Sequence, residues 1–231
     1  MEAVNEFVHS TEVYNTRSSD FIVPVLMDLF KPTSVLDVGC GIGTWLHSFS
    51  QKGISDFFGV DGDYVDKGLL AQFIPVEQYA PIDLNQPFSL NRKFDLVVCL
   101  EVAEHLLASA ADDFISSLCQ HAETIVFSAA IPAQGGQNHI NEQWLDYWAL
   151  KFDANGFKLY DVLRPIFWNR DEVDWWYKQN IVVFSKLNLQ LEIPELPIKN
   201  VVHPQLFQQQ IDYIIYLEQY VKELESKIYK K

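Results

Sequence analysis

Three glycines at alternate positions after a short apolar run constrain the fold of this chain more than any other feature. Residues 35–38 read VLDV, residues 39–43 read GCGIG, and an amphipathic segment follows. Glycine adopts positive φ and lets backbone N–H groups approach a ligand where a Cβ atom would clash. A strand, a glycine turn and a helix in this order form a nucleotide-type pocket at the carboxyl edge of a parallel sheet. The alternative is a glycine-rich turn in an unrelated α/β domain.

A second apolar run, residues 57–60, ends on the carboxylate of Asp61. Asp61 follows the turn by about twenty residues, the distance at which an acidic side chain meets ribose hydroxyls in a βαβ unit. Dinucleotide dehydrogenases share this arrangement, but their turn reads G-x-G-x-x-G. Here the turn reads G-x-G-x-G, with Asp37 two residues ahead of it. The spacing therefore predicts a nucleoside-type ligand and argues against a dehydrogenase.

Strand-like and helix-like segments alternate along most of the chain, which predicts a mostly parallel, doubly wound sheet. No helical pattern separates the last two strands, which favours an antiparallel hairpin at one edge. The predicted strands are 34–38, 57–60, a weak one at 74–78, 94–100, 124–130, 158–163 and 181–185. The predicted helices are 18–30, which is expected to cover the pocket side of the sheet, 44–52, 65–72, 112–121 and 142–155.

The motifs VLDVGCGIG, GVDGD, PIDL and FDLVVCLEVAEHL, in this order, resemble those of class I S-adenosylmethionine-dependent methyltransferases. The resemblance covers about residues 12–187. It implies a seven-stranded Rossmann-like sheet and S-adenosylmethionine as the cofactor. The chain accordingly divides into a methyltransferase domain at 1–187, a linker at 188–203 and a C-terminal amphipathic helix at 204–231.

The resemblance also implies roles in the cofactor pocket. Asp37 would hold the glycine turn and face the ammonium group, and Asp61 would accept hydrogen bonds from the ribose diol. Asp83 would lie beside the adenine amino group, with Leu84 against the ring; alternatively, Asp83 is a turn or helix-cap aspartate. The expected cofactor-binding residues are Asp37, Gly39, Cys40, Gly41, Asp61, Gly62, Asp83, Leu84, Leu100 and Glu101.

Glu101, Glu104 and His105 follow the fourth predicted strand at positions i, i+3 and i+4. On an α-helix these side chains converge on one face, and His139 in the loop after the next strand can reach the same cleft. This donor set suits Mg²⁺ or Mn²⁺. It resembles the pattern of small-RNA 2′-O-methyltransferases and ubiquinone-pathway O-methyltransferases. This resemblance implies a divalent ion that binds two neighbouring hydroxyls of the acceptor, one of which is methylated. The alternative is metal-free acid–base catalysis by His105 or His139, with the glutamate as a helix cap.

Aromatic and acidic residues crowd the segment 164–177 between the last two strands, as in sites that hold sugars or polyols. A tryptophan cluster that only packs this segment onto the sheet is the other interpretation. Tyr14 is a further candidate to close over the cofactor. In the helix after His139, Asn141 is expected as the N-cap, and Trp144 and Trp148 as a one-turn aromatic pair.

The formal net charge of −14 argues against nucleic acid as a substrate. The first ten residues lack a basic start and an apolar stretch, and no apolar span of about 18 residues follows, so neither a leader nor a membrane helix is expected. Three cysteines without C-x-x-C spacing favour reduced thiols in a cytoplasmic protein.

Near the C-terminus, an apolar stripe with a period near 3.5 predicts one long helix. Docking on its own domain and self-association into a homo-oligomer are both open for it. The stripe consists of Ile214, Leu217, Val221, Leu224 and Ile228.

The leading hypothesis is an O-methyltransferase acting on a small hydroxylated acceptor, such as a sugar, a glycan precursor or a natural product. Ribose 2′-O-methylation at an RNA 3′ end is the second enzyme hypothesis, supported by the E-x-x-E-H pattern and opposed by the acidic charge. A cofactor-binding but inactive interaction module is the hypothesis of another class. Oxygen and nitrogen both remain open as the methylated atom.

Overall fold

A central sheet of seven strands organises the computed structural model, which describes residues 15–189 and 200–228. In chain order the strands are β1 (Ser34–Val38), β2 (Asp56–Asp61), β3 (Tyr79–Pro81), β4 (Leu96–Leu100), β5 (Thr124–Ser128), β6 (Lys158–Tyr160) and β7 (Val182–Ser185). Their order across the sheet is β3-β2-β1-β4-β5-β7-β6. The first five strands pair in parallel, and β7 is antiparallel to both β5 and β6. The Rossmann-like sheet with an antiparallel last hairpin is thereby confirmed.

Helices cover both faces of the sheet. They are α1 (Arg17–Phe30), α2 (Thr44–Gln51), α3 (Lys67–Leu70), α4 (Ala111–His121), α5 (Leu145–Ala154), α6 (Arg164–Phe167), α7 (Trp175–Asn180) and α8 (Pro204–Ile228). Every residue of β1, β4 and β5 is buried, as expected for parallel strands covered on both sides. One apolar layer joins the sheet to α4 and α5, and the other joins it to α1 and α2.

The parallel register brings the candidate site together at one edge. Asp37 of β1 pairs with Gly59 of β2 and with Val98 of β4. The carboxyl ends of these three strands therefore lie side by side, and the residues that follow them share one cleft. Those residues are the glycine turn after β1, Gly62 after β2 and Glu101 after β4.

Several predicted boundaries were wrong. The third strand lies at Tyr79–Pro81, not 74–78, because Val76–Gln78 forms a 3₁₀ turn directly after Pro75. The helix expected at 65–72 is only Lys67–Leu70, capped by the Asp66 side chain, which accepts from the N–H of Gly68 at 2.7 Å. The short helices α6 and α7 occupy the segment between β6 and β7 where no helix was expected. Helices of four and six residues are too short to show a helical period in the sequence.

The helix α5 begins later than expected. Leu145 is its first residue and Trp144 its N-cap position, with an extended backbone and no capping bond from the side chain. Asn141 is buried four residues before the helix and is not its cap. The Asn141 backbone N–H donates instead to the Glu104 carbonyl, which keeps residues 140–144 out of the helix.

The predicted C-terminal helix is confirmed as α8. It contacts the rest of the chain near its start, where Leu206 is buried and the Gln210 side-chain amide donates to the Ala133 carbonyl at 2.7 Å. Tyr14 and most of the predicted linker, residues 190–199, lie outside the described residues. Within the described ranges, no helix is long and apolar enough to cross a membrane.

Candidate active site

Two positions of the glycine turn after β1, residues 39 and 43, have no room for a side chain. Gly39 and Gly43 have φ angles of 80° and 85°. A Cβ atom on Gly39 would lie 2.2 Å from the Val102 side chain, and one on Gly43 would lie 2.8 Å from Ile74. The Gly39 N–H donates to the Val60 carbonyl at 2.8 Å, which fastens the turn to β2. The alternating glycines therefore meet a steric requirement as well as a conformational one.

Asp61 joins the end of β2 to this turn. Its Oδ2 accepts a hydrogen bond from the Gly41 N–H at 2.7 Å. Its Oδ1 accepts from the Gly62 N–H at 2.6 Å and from the Tyr64 hydroxyl at 2.7 Å. A ribose hydroxyl would compete with the Tyr64 phenol for Oδ1, because both are hydroxyl donors. Tyr64 was not predicted as a site residue, although an aromatic ring three positions after the acidic strand end was a usable signal.

Asp37 is buried below the turn at the end of β1. Among the described residues, its Oδ2 has no hydrogen-bond partner. Burial raises the pKa of this carboxyl well above its usual value, and the charge of Asp61 raises it further. A buried acceptor without a partner is costly, so a cationic group in this place would be stabilising.

Asp83 and Leu84 follow β3 by two and three residues. Leu84 is buried in the apolar layer under the sheet edge. The exposed Asp83 accepts from the Asn85 N–H at 3.0 Å, and its carbonyl accepts from the Gln86 N–H. This is the geometry of a turn aspartate, whereas its role beside adenine stays a prediction.

Glu101 is held in a network of amides directly after β4, beside the buried Leu100. Its φ of 54° is unusual for a residue with a side chain. The carboxylate accepts from the side-chain amides of Gln134 at 2.7 Å and Asn180 at 3.1 Å. The pKa of Glu101 is raised, because the effect of burial exceeds that of the hydrogen bonds from Asn180, Ser128 and Gln134, which lower it. Gln134 and Asn180 were not predicted from the sequence, because they come from distant segments.

The expected convergence of Glu101, Glu104 and His105 on one α-helical turn is wrong. Ala103–His105 is a 3₁₀ turn, and the left-handed Glu101 stands before it. The structure instead groups Glu104 and His105 with His139, whose potential ligand atoms all lie within 4.8 Å of one another. The imidazole rings of His105 and His139 meet edge to face, with centroids 4.8 Å apart. Glu101 is not part of this three-residue group.

Glu104 is the fully buried member of the group. Neither of its carboxylate oxygens has a hydrogen-bond partner in the described part of the chain. Burial raises its pKa well above the usual value, and the charge of Glu101 adds to this. The Glu104 carbonyl accepts from the N–H groups of Ile140 and Asn141, each at 2.9 Å. These two bonds draw the loop that carries His139 onto Glu104.

Glu142 orients His139 within that loop. The Nδ1 of His139 lies 2.9 Å from Oε1 of Glu142, which also accepts from the Gly135 N–H at 2.7 Å. Its Oε2 accepts from the Ala133 N–H at 2.7 Å. The carboxylate accepts only, so Nδ1 carries the proton and the Nε2 of a neutral His139 keeps its lone pair. Glu142 was not predicted as a site residue, although its i+3 spacing from a candidate histidine was visible.

His105 is the second imidazole of the group. Burial, and after it the neighbouring His139, lower its pKa to about 4. The ring is therefore neutral at pH 7, which is the form that binds a metal ion or accepts a proton.

The aromatic residues after β6 serve packing in part. Trp168 lies against His203 with centroids 4.8 Å apart, and Tyr177 meets Trp45 edge to face at 5.2 Å. Asp174 accepts from the Ser18 hydroxyl at 2.7 Å, which ties this segment to α1. Trp175 and Trp176 remain half-buried at its surface. The expected pair of Trp144 with Trp148 does not form a common face, because Trp144 is exposed while Trp148 packs on Phe127.

A comparison with known families identifies the chain. A family profile described as a methyltransferase domain matches residues 12–180. The chain belongs to this family. The match spans every strand of the sheet except β7, and it includes the glycine turn, Asp61 and the group around Glu104. A search of curated proteins found no match to this methyltransferase.

Solved structures with the same fold include three methyltransferases. The sugar N-methyltransferase KedS8 from Streptoalloteichus aligns with a TM-score of 0.59 at 13% identity, covering 76% of this chain and 90% of its own. CalS10, an amino pentose methyltransferase from Micromonospora echinaspora, aligns at 0.57 and 13% identity, covering 76% and 93%. The magnesium protoporphyrin IX methyltransferase ChlM from Synechocystis, with bound S-adenosylhomocysteine, aligns at 0.55 and 19% identity, covering 74% and 83%. At these identities the similarity establishes the fold alone.

Proposed function

We propose that this methyltransferase transfers the methyl group of S-adenosylmethionine to a hydroxyl of a small polyhydroxy acceptor, such as a sugar. The observation that carries the proposal is the buried carboxylate of Glu104, unpartnered within the described residues and grouped with His105 and His139. This group lies at the same sheet edge as the glycine turn and Asp61. An acceptor in the cleft therefore meets proton-accepting groups close to the pocket for the methyl donor.

The pocket residues fit the parts of S-adenosylmethionine. Asp37 offers a buried carboxylate oxygen to the ammonium group. The turn at 39–43 offers backbone next to the ribose and methionine parts, and Asp61 accepts from the ribose diol. S-adenosylhomocysteine bound to ChlM and S-adenosylmethionine bound to CalS10 support this cofactor for the fold.

Glu104, His105 and His139 fit a divalent cation. An unpartnered buried carboxylate beside two imidazoles is a donor set that a cation would satisfy. Because Glu101 is held by amides, the set has one carboxylate and two imidazoles, which favours Mn²⁺ over Mg²⁺. A cation bound there would lower the pKa of an acceptor hydroxyl and fix its orientation. Glu142 keeps Nε2 of His139 unprotonated for this role.

Proton removal by the protein alone is the alternative for the same residues. His139 would accept the hydroxyl proton at Nε2 while its Nδ1–H stays on Glu142. The acceptor oxygen then attacks the methyl carbon, the carbon–sulfur bond breaks, and S-adenosylhomocysteine leaves. Chelation separates the two mechanisms, because only the first loses activity in EDTA.

Two other acceptors have specific support. An amino sugar is favoured by the fold similarity to KedS8 and CalS10, whose names specify a sugar N-methyltransferase and an amino pentose methyltransferase. An RNA 3′-terminal ribose is favoured by its neighbouring hydroxyls and the two histidines, and opposed by the net charge of −14.

Cofactor turnover across matched acceptors tests the proposal. Purified protein with Mn²⁺ is given neutral sugars, amino sugars or a short RNA, and S-adenosylhomocysteine is measured. Glu104→Gln is expected to reduce turnover of the best acceptor at least 100-fold with cofactor affinity unchanged, while the exposed Asp113→Asn changes neither. Turnover with amino sugars alone, or with RNA alone, would replace the proposed acceptor. Cofactor binding without turnover on any acceptor would instead support the inactive interaction module.

The cofactor assignment has its own test. Asp61→Asn is expected to weaken binding of S-adenosylmethionine at least tenfold by calorimetry, because it removes the charge that holds the ribose and the turn. Asp63→Asn, two residues away and exposed, is the matched control. Equal affinity of both variants would contradict the ribose role of Asp61.

A cytoplasmic location completes the proposal. Cys40, Cys99 and Cys119 are free and buried, which fits a compartment that keeps thiols reduced.

A further inference from the structure

One face of α8 carries apolar side chains that the domain leaves uncovered. Beyond its first two turns, Ile214 and Val221 are 54% and 51% exposed, and Leu217 and Leu224 are each 39% exposed. The contacts that fix the helix to the domain lie before this face, at Leu206 and Gln210. In the structure, this face therefore does not pack against its own domain. Ile215 and Tyr216 are exposed on the same helix but lie outside this row. A row of apolar side chains that lies open to solvent at a regular helical spacing calls for a partner.

The side-chain types along the face specify what that partner is. Numbered as a heptad, Ile214 and Val221 occupy a positions, and Leu217 and Leu224 occupy d positions. β-branched residues at a combined with leucine at d favour two parallel strands over three or four. The spacing between successive a and d residues alternates between three and four positions. Two copies of the helix can therefore pack together along this row of a and d residues, which is called the seam below.

The flanking positions favour the same orientation. Tyr213 and Tyr220 occupy g positions, and Glu218 occupies an e position. In a parallel pair, g residues of one helix face e residues of the other, so the Tyr213 hydroxyl can donate to the carboxylate of Glu218 in the second copy. In an antiparallel pair, e residues face each other and the glutamates of the two copies repel. The charge pattern therefore disfavours the antiparallel arrangement.

We propose that α8 is a homodimerisation element that pairs with α8 of a second copy as a parallel, two-stranded coiled coil. The seam starts after Gln210, whose side chain is bound to the Ala133 carbonyl. Ala133 belongs to the same loop as Glu142 and His139. Each α8 helix is therefore hydrogen-bonded to the loop that carries part of the candidate site. Dimerisation is independent of the proposed chemistry, and it holds whichever acceptor the enzyme uses.

Light scattering on the full-length chain tests the dimer. The wild-type protein is expected to have the mass of two chains at about 50 μM and to dissociate on dilution. Val221→Asp is expected to have the mass of one chain, because it buries a charge in the seam. Gln219→Asp adds the same charge at an exposed f position and is expected to remain dimeric. A thermal melt with S-adenosylhomocysteine shows that both variants keep a folded methyltransferase domain.

Cysteine crosslinking tests the orientation. Leu217→Cys and Leu224→Cys are each expected to form a disulfide-linked dimer under mild oxidation, because identical d residues meet in a parallel pair. Crosslinking only in a mixture of the two variants would mean an antiparallel pair and would overturn the proposal. A wild-type mass of one chain or of three chains would overturn it as well, and so would a dimer that Val221→Asp leaves intact.

Discussion

The buried carboxyl of Asp37 destabilises the ligand-free fold, and its proposed role is to bind the cofactor. Its pKa is raised, so between its ordinary value of 3.8 and the raised value the folded protein binds more protons than the unfolded one. The contribution of Asp37 to the free energy of unfolding therefore falls as the pH rises through that window. A cofactor ammonium group that neutralises the carboxylate would restore the stability lost in this way.

Asp37→Asn is accordingly expected to stabilise the ligand-free protein at pH 7 by about 1 kcal/mol, or roughly 2–4 °C in Tm for a chain of this size. The same substitution is expected to weaken cofactor binding at least tenfold. Thermal melts with and without S-adenosylhomocysteine measure both effects, with the exposed Asp28→Asn as the control. A lower Tm for ligand-free Asp37→Asn would contradict the role assigned to the unpartnered oxygen.

Glu142 is expected to act on the proposed cation site through His139, and it is not one of the three residues of that group. Glu142→Gln removes a charged acceptor that holds Nδ1–H and two backbone N–H groups. We expect Mn²⁺ affinity to fall about 10- to 100-fold, the usual effect of losing a partner behind a metal-binding histidine. The ¹⁵N spectrum of His139 in metal-free protein is expected to shift from a single Nδ1–H tautomer to a mixture.

The matched control for Glu142→Gln is Glu77→Gln, an exposed change in the 3₁₀ turn before β3. It is expected to leave both the Mn²⁺ affinity and the tautomer unchanged. An unaltered tautomer in Glu142→Gln would mean that this carboxylate only braces the loop.

At the scale of elements, aromatic contacts fix α5 on the sheet. Phe152 of α5 stacks on Phe184 of β7 with centroids 3.8 Å apart and meets Phe127 of β5 edge to face at 5.2 Å. The loop that contains His139 and Glu142 leads directly into α5, so the position of α5 fixes the end of this loop. Packing of α5 is therefore connected to the geometry of the candidate site.

Phe152→Ala is expected to lower the free energy of unfolding by about 3–5 kcal/mol, through lost apolar burial and the cavity that remains. Leu150→Ala, on the same helix but 72% exposed, is expected to change it by less than about 0.5 kcal/mol. Urea unfolding curves compare the two variants. Equal midpoints for both would mean that α5 is not anchored by this aromatic contact.

At the scale of the whole molecule, cofactor binding adds its free energy to that of folding. S-adenosylhomocysteine at 100 times its Kd is expected to raise the free energy of unfolding by about 2.7 kcal/mol. For a chain of this size, that corresponds to a rise in Tm of roughly 5–10 °C. Differential scanning calorimetry measures the shift. Stabilisation by nicotinamide dinucleotides, with none by S-adenosylhomocysteine, would contradict the assignment of the pocket.

The sequence alone determined the order of the strands along the chain, the parallel sheet and the glycine turn, because these depend on local signals. Apolar runs mark buried strands, and glycines at 39, 41 and 43 mark a turn whose backbone has positive φ at these three positions. Acidic residues at strand ends mark one edge, since parallel strands share their carboxyl ends. The long C-terminal helix was predictable for the same reason, from its apolar period.

Only the tertiary structure decided which side chains meet in the cleft. The positive φ of Glu101 and the 3₁₀ turn after it replace the α-helical turn that the spacing of residues 101–105 predicts. Gln134 and Asn180 reach Glu101 from segments 33 and 79 residues away, and His139 reaches Glu104 through backbone bonds of its loop. Such contacts depend on packing between distant segments, which leaves no periodic signal in the sequence.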